Sequence, residues 1–215
     1  MTTPRPAARR VQPQPPPPVR VAEPRDVPRI AATLTLAVAG SRWARWALPD
    51  DGRVQRLTRW HELDAGHRGV GTRTAWVTED VASVAVWQPP DGVPATAPLP
   101  DDVRAALGRE LPYLSAHRAA VVSDTEEAVA AARPGGPHWW LRHLGTRPSS
   151  RRQGLAAAVL APALGRCDAD GLPAAAAAYS WAAVNFLRGH GFEVAAALRT
   201  ADDAMPVWVV VRAPR

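Results

Sequence analysis

Apolar positions along this chain follow two rhythms, one of period two and one near 3.6, and their order interleaves strands with helices. Val19 to Ala22 reads as a short strand. Asp26 and Pro28 then open a segment in which Ile30, Leu34, Leu36 and Val38 recur at spacings a helix can bury, ending at Gly40. A second helix is expected over Val54 to Asp64, broken by Gly66 and Gly69. Thr72 to Thr78 alternates polar and apolar like a strand, and Val81 to Trp87 is another. Glu79 and Asp80 between them read as a hairpin turn, and Pro89, Pro90 and Gly92 stop the second strand.

Helical character returns from Pro98 to Ala132, with Asp101 or Asp102 as cap and Leu107, Leu111 and Leu114 on one face. Pro134 to Pro137 ends it. His138 to Thr146 is an aromatic and apolar stretch bounded by loop residues, read as a well-buried strand. Gly154 to Cys167 follows as an Ala- and Leu-rich helix that Pro162 should kink. The five alanines Ala174 to Ala178 favour helix by intrinsic preference. They stand, however, between a helix stopped by Gly171 and Pro173 and a short helix from Trp181 to Arg188, and a strand suits that context. Glu193 to Leu198 and Pro206 to Val211 complete the pattern as strands, and no internal repeat interrupts it.

A chain of 215 residues is one domain with room for a tail. The tail is at the front. The first 20 residues hold four Arg, no acid and the run Pro15 to Pro18, a composition that cannot bury enough apolar surface to offset its ordering entropy. Residues 1–18 are therefore read as a disordered tail and residues 19–215 as the folded domain. Much of the formal charge of +6 belongs to that tail, so the remainder is nearly neutral and lacks the basic patch of a nucleic-acid binder. All 26 basic residues are Arg, which excludes a lysine Schiff base or a phosphate-loop lysine. One cysteine, Cys167, allows no internal disulfide and fits a reducing compartment. Neither a membrane-length apolar run nor a signal-peptide core is visible, so a cytoplasmic location is expected.

The segment richest in chemistry is Leu144-Gly145-Thr146-Arg147-Pro148-Ser149-Ser150-Arg151-Arg152-Gln153-Gly154-Leu155-Ala156, a buried strand turning into a helix start. A helix N-terminus exposes backbone N–H groups and the positive end of the macrodipole, which together bind phosphate. Gly154 lets backbone approach such a group closely, and Arg151 and Arg152 add charge.

Here the chain resembles the GNAT superfamily of N-acetyltransferases. Arg151, Gly154 and Ala156 fill the three fixed positions of its Gln/Arg-x-x-Gly-x-Gly/Ala pattern. The preceding Leu144-Gly145-Thr146 looks like the family's fourth strand, and Gly189-His190-Gly191-Phe192-Glu193-Val194 looks like its closing signature. The resemblance covers roughly residues 19–212 and is best from His138 to Val194. It implies an α+β GNAT fold, a mixed, mostly antiparallel central sheet of about seven strands flanked by helices. It also implies acetyl-CoA as acetyl donor, held by Leu144, Gly145, Thr146, Arg151, Arg152, Gln153, Gly154, Leu155 and Ala156. The acceptor would be an amine of a small molecule or peptide, with no membrane or nucleic-acid partner and an open oligomeric state.

Several positions depart from the family. Leu187 stands where many members place the tyrosine that protonates the leaving thiolate, Ala183 where an Asn often contacts CoA, and Ala177 and Trp140 where glutamates occur. An acetyltransferase needs a neutral amine and hence a base or a low-pKa amine. His138 and His143, on the central strand, are the candidate bases; Tyr179 and Ser180 are the candidate acids. The two histidines are five apart, which in a regular strand points them to opposite faces and argues against a shared metal site. No other cluster has metal-ligand spacing. Two readings follow: an N-acetyltransferase relying mainly on positioning, weakened by Leu187, or a catalytically impaired acyl-CoA-binding module acting as sensor or interaction protein.

Overall fold

The computed structural model describes residues 17–90 and 100–215. Most of the tail expected over residues 1–18, and the expected helix start at Pro98, lie outside the described residues. Seven strands form one sheet in the order β1-β2-β3-β4-β5-β7-β6: β1 Val19–Val21, β2 Ala75–Thr78, β3 Ser83–Gln88, β4 Trp139–Thr146, β5 Ala174–Ala178, β6 Glu193–Arg199 and β7 Pro206–Arg212. Every neighbouring pair is antiparallel except β4 and β5. This is the mixed, mostly antiparallel α+β sheet that the resemblance implies.

Side chains alternate across the sheet, so each face acquires its own core. On one face Trp76, Ala85, Trp87, Trp139 and Leu141 meet α7 (Leu155–Asp170) and α8 (Trp181–Arg188) through Val159, Leu160, Val184 and Leu187. On the other, Val77, Val84 and Val86 meet Ile30 and Leu34 of α1 (Val27–Val38). Full burial of one such aliphatic or aromatic side chain contributes about 1.5–3 kcal/mol. Cys167 packs within the first core, where burial pushes its thiol up to about 12, so it is a packing residue and no nucleophile. The alanines of β5 are in the sheet as expected: Ala174, Ala175, Ala176 and Ala178 are at most 2% exposed, and pairing with β4 and β7 overrides their helical preference.

The first half departs from the expected pattern. After α1, a short α2 (Arg42–Ala47) is capped by Ser41, whose Oγ accepts from the Ala44 N–H at 3.0 Å. Then α3 (Arg53–Trp60) continues without a break into a π-helix, His61–Arg68, and one further turn, α4 (Gly69–Gly71). Gly66 and Gly69 therefore do not break the helix. A Cβ on Gly66 would lie 2.8 Å from Val27 Cγ1, and one on Gly69 2.8 Å from Val86 Cγ1, so these glycines let the π-helix press against α1 and the sheet. The expected helix from Pro98 to Ala132 divides into α5 (Asp101–Leu114) and α6 (Ala119–Ala131) at a 3-10 turn, where Ala116 has φ 47°. α7 continues past Pro162 to Asp170. The β6–β7 turn is held against α2 by Asp202, which accepts from Trp46 Nε1 at 3.0 Å and Arg118 Nη2 at 2.7 Å.

Candidate functional site

β4 and β5 pair only from Trp139–Leu141 against Ala174–Ala176. Beyond Leu141 the two strands part, leaving Arg142 to Thr146 without a β5 partner. A cavity of about 410 Å³ opens at the mouth of this split. It is lined by Leu144, Gly145 and Thr146 of β4, Ala37 and Val38 of α1, Ser150, Arg151, Arg152 and Gly154 of the loop, Leu155 to Ala157 of α7, and Phe186 of α8. Of the residues expected to hold acetyl-CoA, Gln153 is not part of this lining; it is exposed on the loop.

Gly154 has φ 76° and is the N-cap of the 16-residue α7, and it can offer no side-chain cap. The first-turn N–H groups of α7 are thereby left for whatever enters the cavity. A Cβ built on Gly154 meets nothing within 4 Å, so no neighbour in the fold demands a glycine there; the left-handed backbone alone favours one. The Arg151 side chain reaches back to the Ala37 carbonyl at 3.0 Å, tying the loop to the end of α1. An anionic group close to backbone fits this cradle.

The polar side chains beside the split are organised by Asp64, a π-helix residue that is 2% exposed. Asp64 accepts from Arg142 Nη2 at 2.9 and 3.0 Å, contacts His143 Nε2 at 2.7 Å, and lies 3.1 Å from Arg68 Nε. Arg142 and His143 are adjacent, so a regular strand would send them to opposite faces. A bulge prevents this: Val86 pairs with His143 but Trp87 with Leu141, leaving Arg142 as the extra residue and turning both side chains to the α1 face. The same bulge corrects the expected geometry of the two histidines. His138 and His143 share a face, but five residues at about 3.3 Å each put them roughly 16 Å apart along the strand. At the far end His138 contacts the Gly136 carbonyl at 2.7 Å and the Trp140 ring, away from the split.

Burial pushes the Asp64 carboxyl up, but the charges of Arg142 and Arg68 and the His143 contact outweigh it and hold the group far below the usual carboxylate range. His61, three residues earlier, contacts the Thr35 hydroxyl at 3.0 Å, with its ring edge-on to His143 at 5.5 Å. Burial and the neighbouring His143 push His61 well below the usual histidine value, so it is neutral. Because the folded pKa of Asp64 lies below its unfolded value near 3.8, its stabilisation is complete above that pH and is lost as pH falls through the acid range. The urea midpoint is expected to fall between about pH 5 and pH 3, and Asp64→Asn, though less stable at neutral pH, is expected to show a flatter dependence over that window.

Tyr179 follows β5 and packs against Trp43, which in turn meets Trp60, with centroids 6.0 and 5.6 Å apart. Burial and the charge of Glu126 push its phenol above the usual range, so it stays protonated. Glu126 on α6 is near enough to act by charge on Tyr179 and Asp64, and desolvation raises its own carboxyl. Ser180 instead caps α8, its Oγ accepting from the Ala183 N–H at 3.2 Å. Leu187 is 4% exposed and points into the core, while its neighbour Phe186 lines the cavity. A ring at 187 would thus overpack the core. Leu187→Tyr is expected to lose about 1–3 kcal/mol, lowering Tm by about 2–12 °C, with no gain in turnover. A thermal melt beside a rate measurement checks both.

No family model matches the sequence. Among solved structures, a Corynebacterium glutamicum protein described as a histone acetyltransferase and related acetyltransferase superposes with TM-score 0.66 at 22% identity, covering 93% of this chain and 97% of its own. The fold is that of the GNAT acetyltransferases. A mosquito arylalkylamine N-acetyltransferase like 5b also matches, with TM-score 0.56, 15% identity and coverage of 91% and 98%. So does a Drosophila melanogaster polyamine N-acetyltransferase that forms N-acetylagmatine, with TM-score 0.54, 14% identity and coverage of 91% and 98%. The superposition with the Corynebacterium glutamicum protein extends over nearly the whole chain. Sequence reasoning missed Asp64, Arg142 and Glu126. The one local signal was the His-Glu-Leu-Asp run inside a helix whose other residues are mostly apolar or basic. Among the described residues no group of three or more His, Cys, Asp or Glu is placed to hold a metal, and no helix is long and apolar enough to cross a membrane.

Proposed function

We propose that this chain is an acetyl-CoA-dependent N-acetyltransferase acting on an amine of a small molecule or peptide. The observation that carries the reading is the parting of β4 from β5 beside an uncapped α7 N-terminus. Acetyl-CoA supplies an activated acyl group as a thioester. The N–H groups at the start of α7 would receive its pyrophosphate, with Gly154 allowing close approach and Arg151 and Arg152 adding charge. The free edge of β4 over Leu144 to Thr146 would pair with the amides of the pantetheine arm as an added strand does.

His143 is the side chain immediately before Leu144 in the parted segment, and it is the base we assign. Its imidazole would take the proton that the amine loses as the new C–N bond forms and the C–S bond breaks. The departing thiolate has an ordinary thiol pKa near 8.5, so it leaves tolerably well without a dedicated acid. Of the expected pair of donors, Tyr179 stays protonated, while Ser180 is engaged as a helix cap. Holding donor and acceptor together supplies much of the rate, up to about 7–11 kcal/mol in favourable cases.

Residues 19–215 would carry the whole activity, in the cytoplasm, where the buried and reduced Cys167 is at home. Arylalkylamine and polyamine acetyltransferases among the solved neighbours make simple amines the first acceptors to try. The test is a panel of aryl, polyamine and peptide N-terminal amines incubated with acetyl-CoA and followed by free-thiol release. Release that depends on both amine and enzyme supports the reading. Its absence across the panel, with acetyl-CoA bound, would favour an acyl-CoA-binding module instead.

A further inference from the structure

We propose that Asp64, clamped between Arg142 and Arg68, is a positioning residue that fixes His143 as the Nε2–H tautomer and leaves the lone pair on Nδ1 to receive the acceptor's proton. The inference rests on the N-acetyltransferase reading for its chemistry, but its geometry stands independently. Asp64 is 2% exposed and meets three cationic or titratable partners: Arg142 at 2.9 Å, His143 Nε2 at 2.7 Å and Arg68 at 3.1 Å.

A carboxylate held ionised has no proton to give. The hydrogen in the 2.7 Å contact therefore belongs to His143 Nε2, and neutral His143 carries its lone pair on Nδ1. Two costly backbone features bring the groups together. One is the bulge at Arg142, which gives up regular pairing so that Arg142 and His143 reach the same carboxylate. The other is the eight-residue π-helix, a rare conformation frequently found at functional sites, which carries His61, Asp64 and Arg68 on the segment packed against α1. An ion pair that merely joined the π-helix to β4 would be complete with Arg142 alone.

Charged and titratable groups surround His143 on several elements. Asp64 favours the imidazolium; Arg142 on the same strand and Arg68 on the π-helix oppose it. Glu126 on α6 adds a weaker favourable charge, and His61, beside Thr35 of α1, is neutral.

Long-range 1H–15N correlation spectra of the full chain, with 15N-labelled histidine at about pH 8, read the tautomer directly. His143 is assigned by the signals lost in His143→Gln. The expected result is an Nε2–H ring in the wild type, with the Nδ1–H form appearing in Asp64→Asn, whose amide can donate as well as accept. An Nδ1–H ring or an even mixture in the wild type overturns the inference. In kinetics, the acid limb of the kcat/KM profile is expected to move to lower pH in Asp64→Asn, with kcat down about 10- to 100-fold, as when the partner of a functional histidine is lost. It should move to higher pH in Arg142→Gln. A limb that stays put in both, or moves the same way in both, overturns it too. If Asp64→Asn fails to fold, the wild-type tautomer and the Arg142→Gln limb decide. If no amine turns over, the N-acetyltransferase reading fails, and the tautomer still decides whether Asp64 positions His143.

Discussion

His143→Gln is expected to lower kcat about 100- to 10,000-fold, the range through which a positioned base usually contributes. Glutamine keeps a side chain that can donate to Asp64, so the buried carboxylate is not left alone with its arginines. The effect should therefore fall on catalysis and spare the fold. Affinity for acetyl-CoA should hardly change, because the cavity is lined by Leu144 and its successors and not by the His143 ring. His138→Gln is the matched control: the same substitution on the same strand, roughly 16 Å away, is expected to leave kcat within about twofold. Equal losses in both variants would show that the strand, and not the His143 imidazole, is what matters. Rates with one turned-over amine, beside acetyl-CoA titrations of each variant, check this.

Gly154→Val should act on the other half of the site. With φ at 76°, a β-branched residue at 154 costs about 1–2 kcal/mol of strain. No packing clash adds to that, since a Cβ there meets nothing within 4 Å. The added methyls would stand in the space an entering pyrophosphate needs. Loss of two charge-assisted hydrogen bonds from the α7 N–H groups, each worth about 1.5–3 kcal/mol, would raise Kd for acetyl-CoA by about 100-fold or more. Calorimetric titration of the variant against the wild type measures it. A variant that is less stable but binds acetyl-CoA unchanged would mean that Gly154 serves backbone conformation only.

Much of the candidate site's geometry was legible in the sequence because it is made of local backbone features. A strand, a tight loop and a glycine before an Ala-rich helix are local features, and Leu144 to Ala156 displays all three in one continuous segment. The Asp64 cluster was not legible because it is assembled across long separations, with Asp64 and Arg142 standing 78 residues apart. Its two enabling irregularities, the bulge and the π-helix, leave no mark on periodicity. Gly66 and Gly69 misled for a related reason: a glycine needed for close approach to Val27 and Val86 looks the same in sequence as one that ends a helix. Leu187 misled by register. Counting from Gly191 finds the right helix, but α8 turns Leu187 into the core and leaves Phe186 at the cavity. The five alanines of β5, by contrast, were readable once the helices on either side had been bounded.

The most direct measurement is the melting temperature of the full chain with and without acetyl-CoA, because everything proposed for the split between β4 and β5 requires that ligand to bind there. At about 100 times its Kd, acetyl-CoA should add roughly 2.7 kcal/mol, which for a domain of this size raises Tm by about 5–11 °C, and the rise should be largely lost in Gly154→Val at the same concentration. A melting temperature unmoved by millimolar acetyl-CoA would contradict the proposed function.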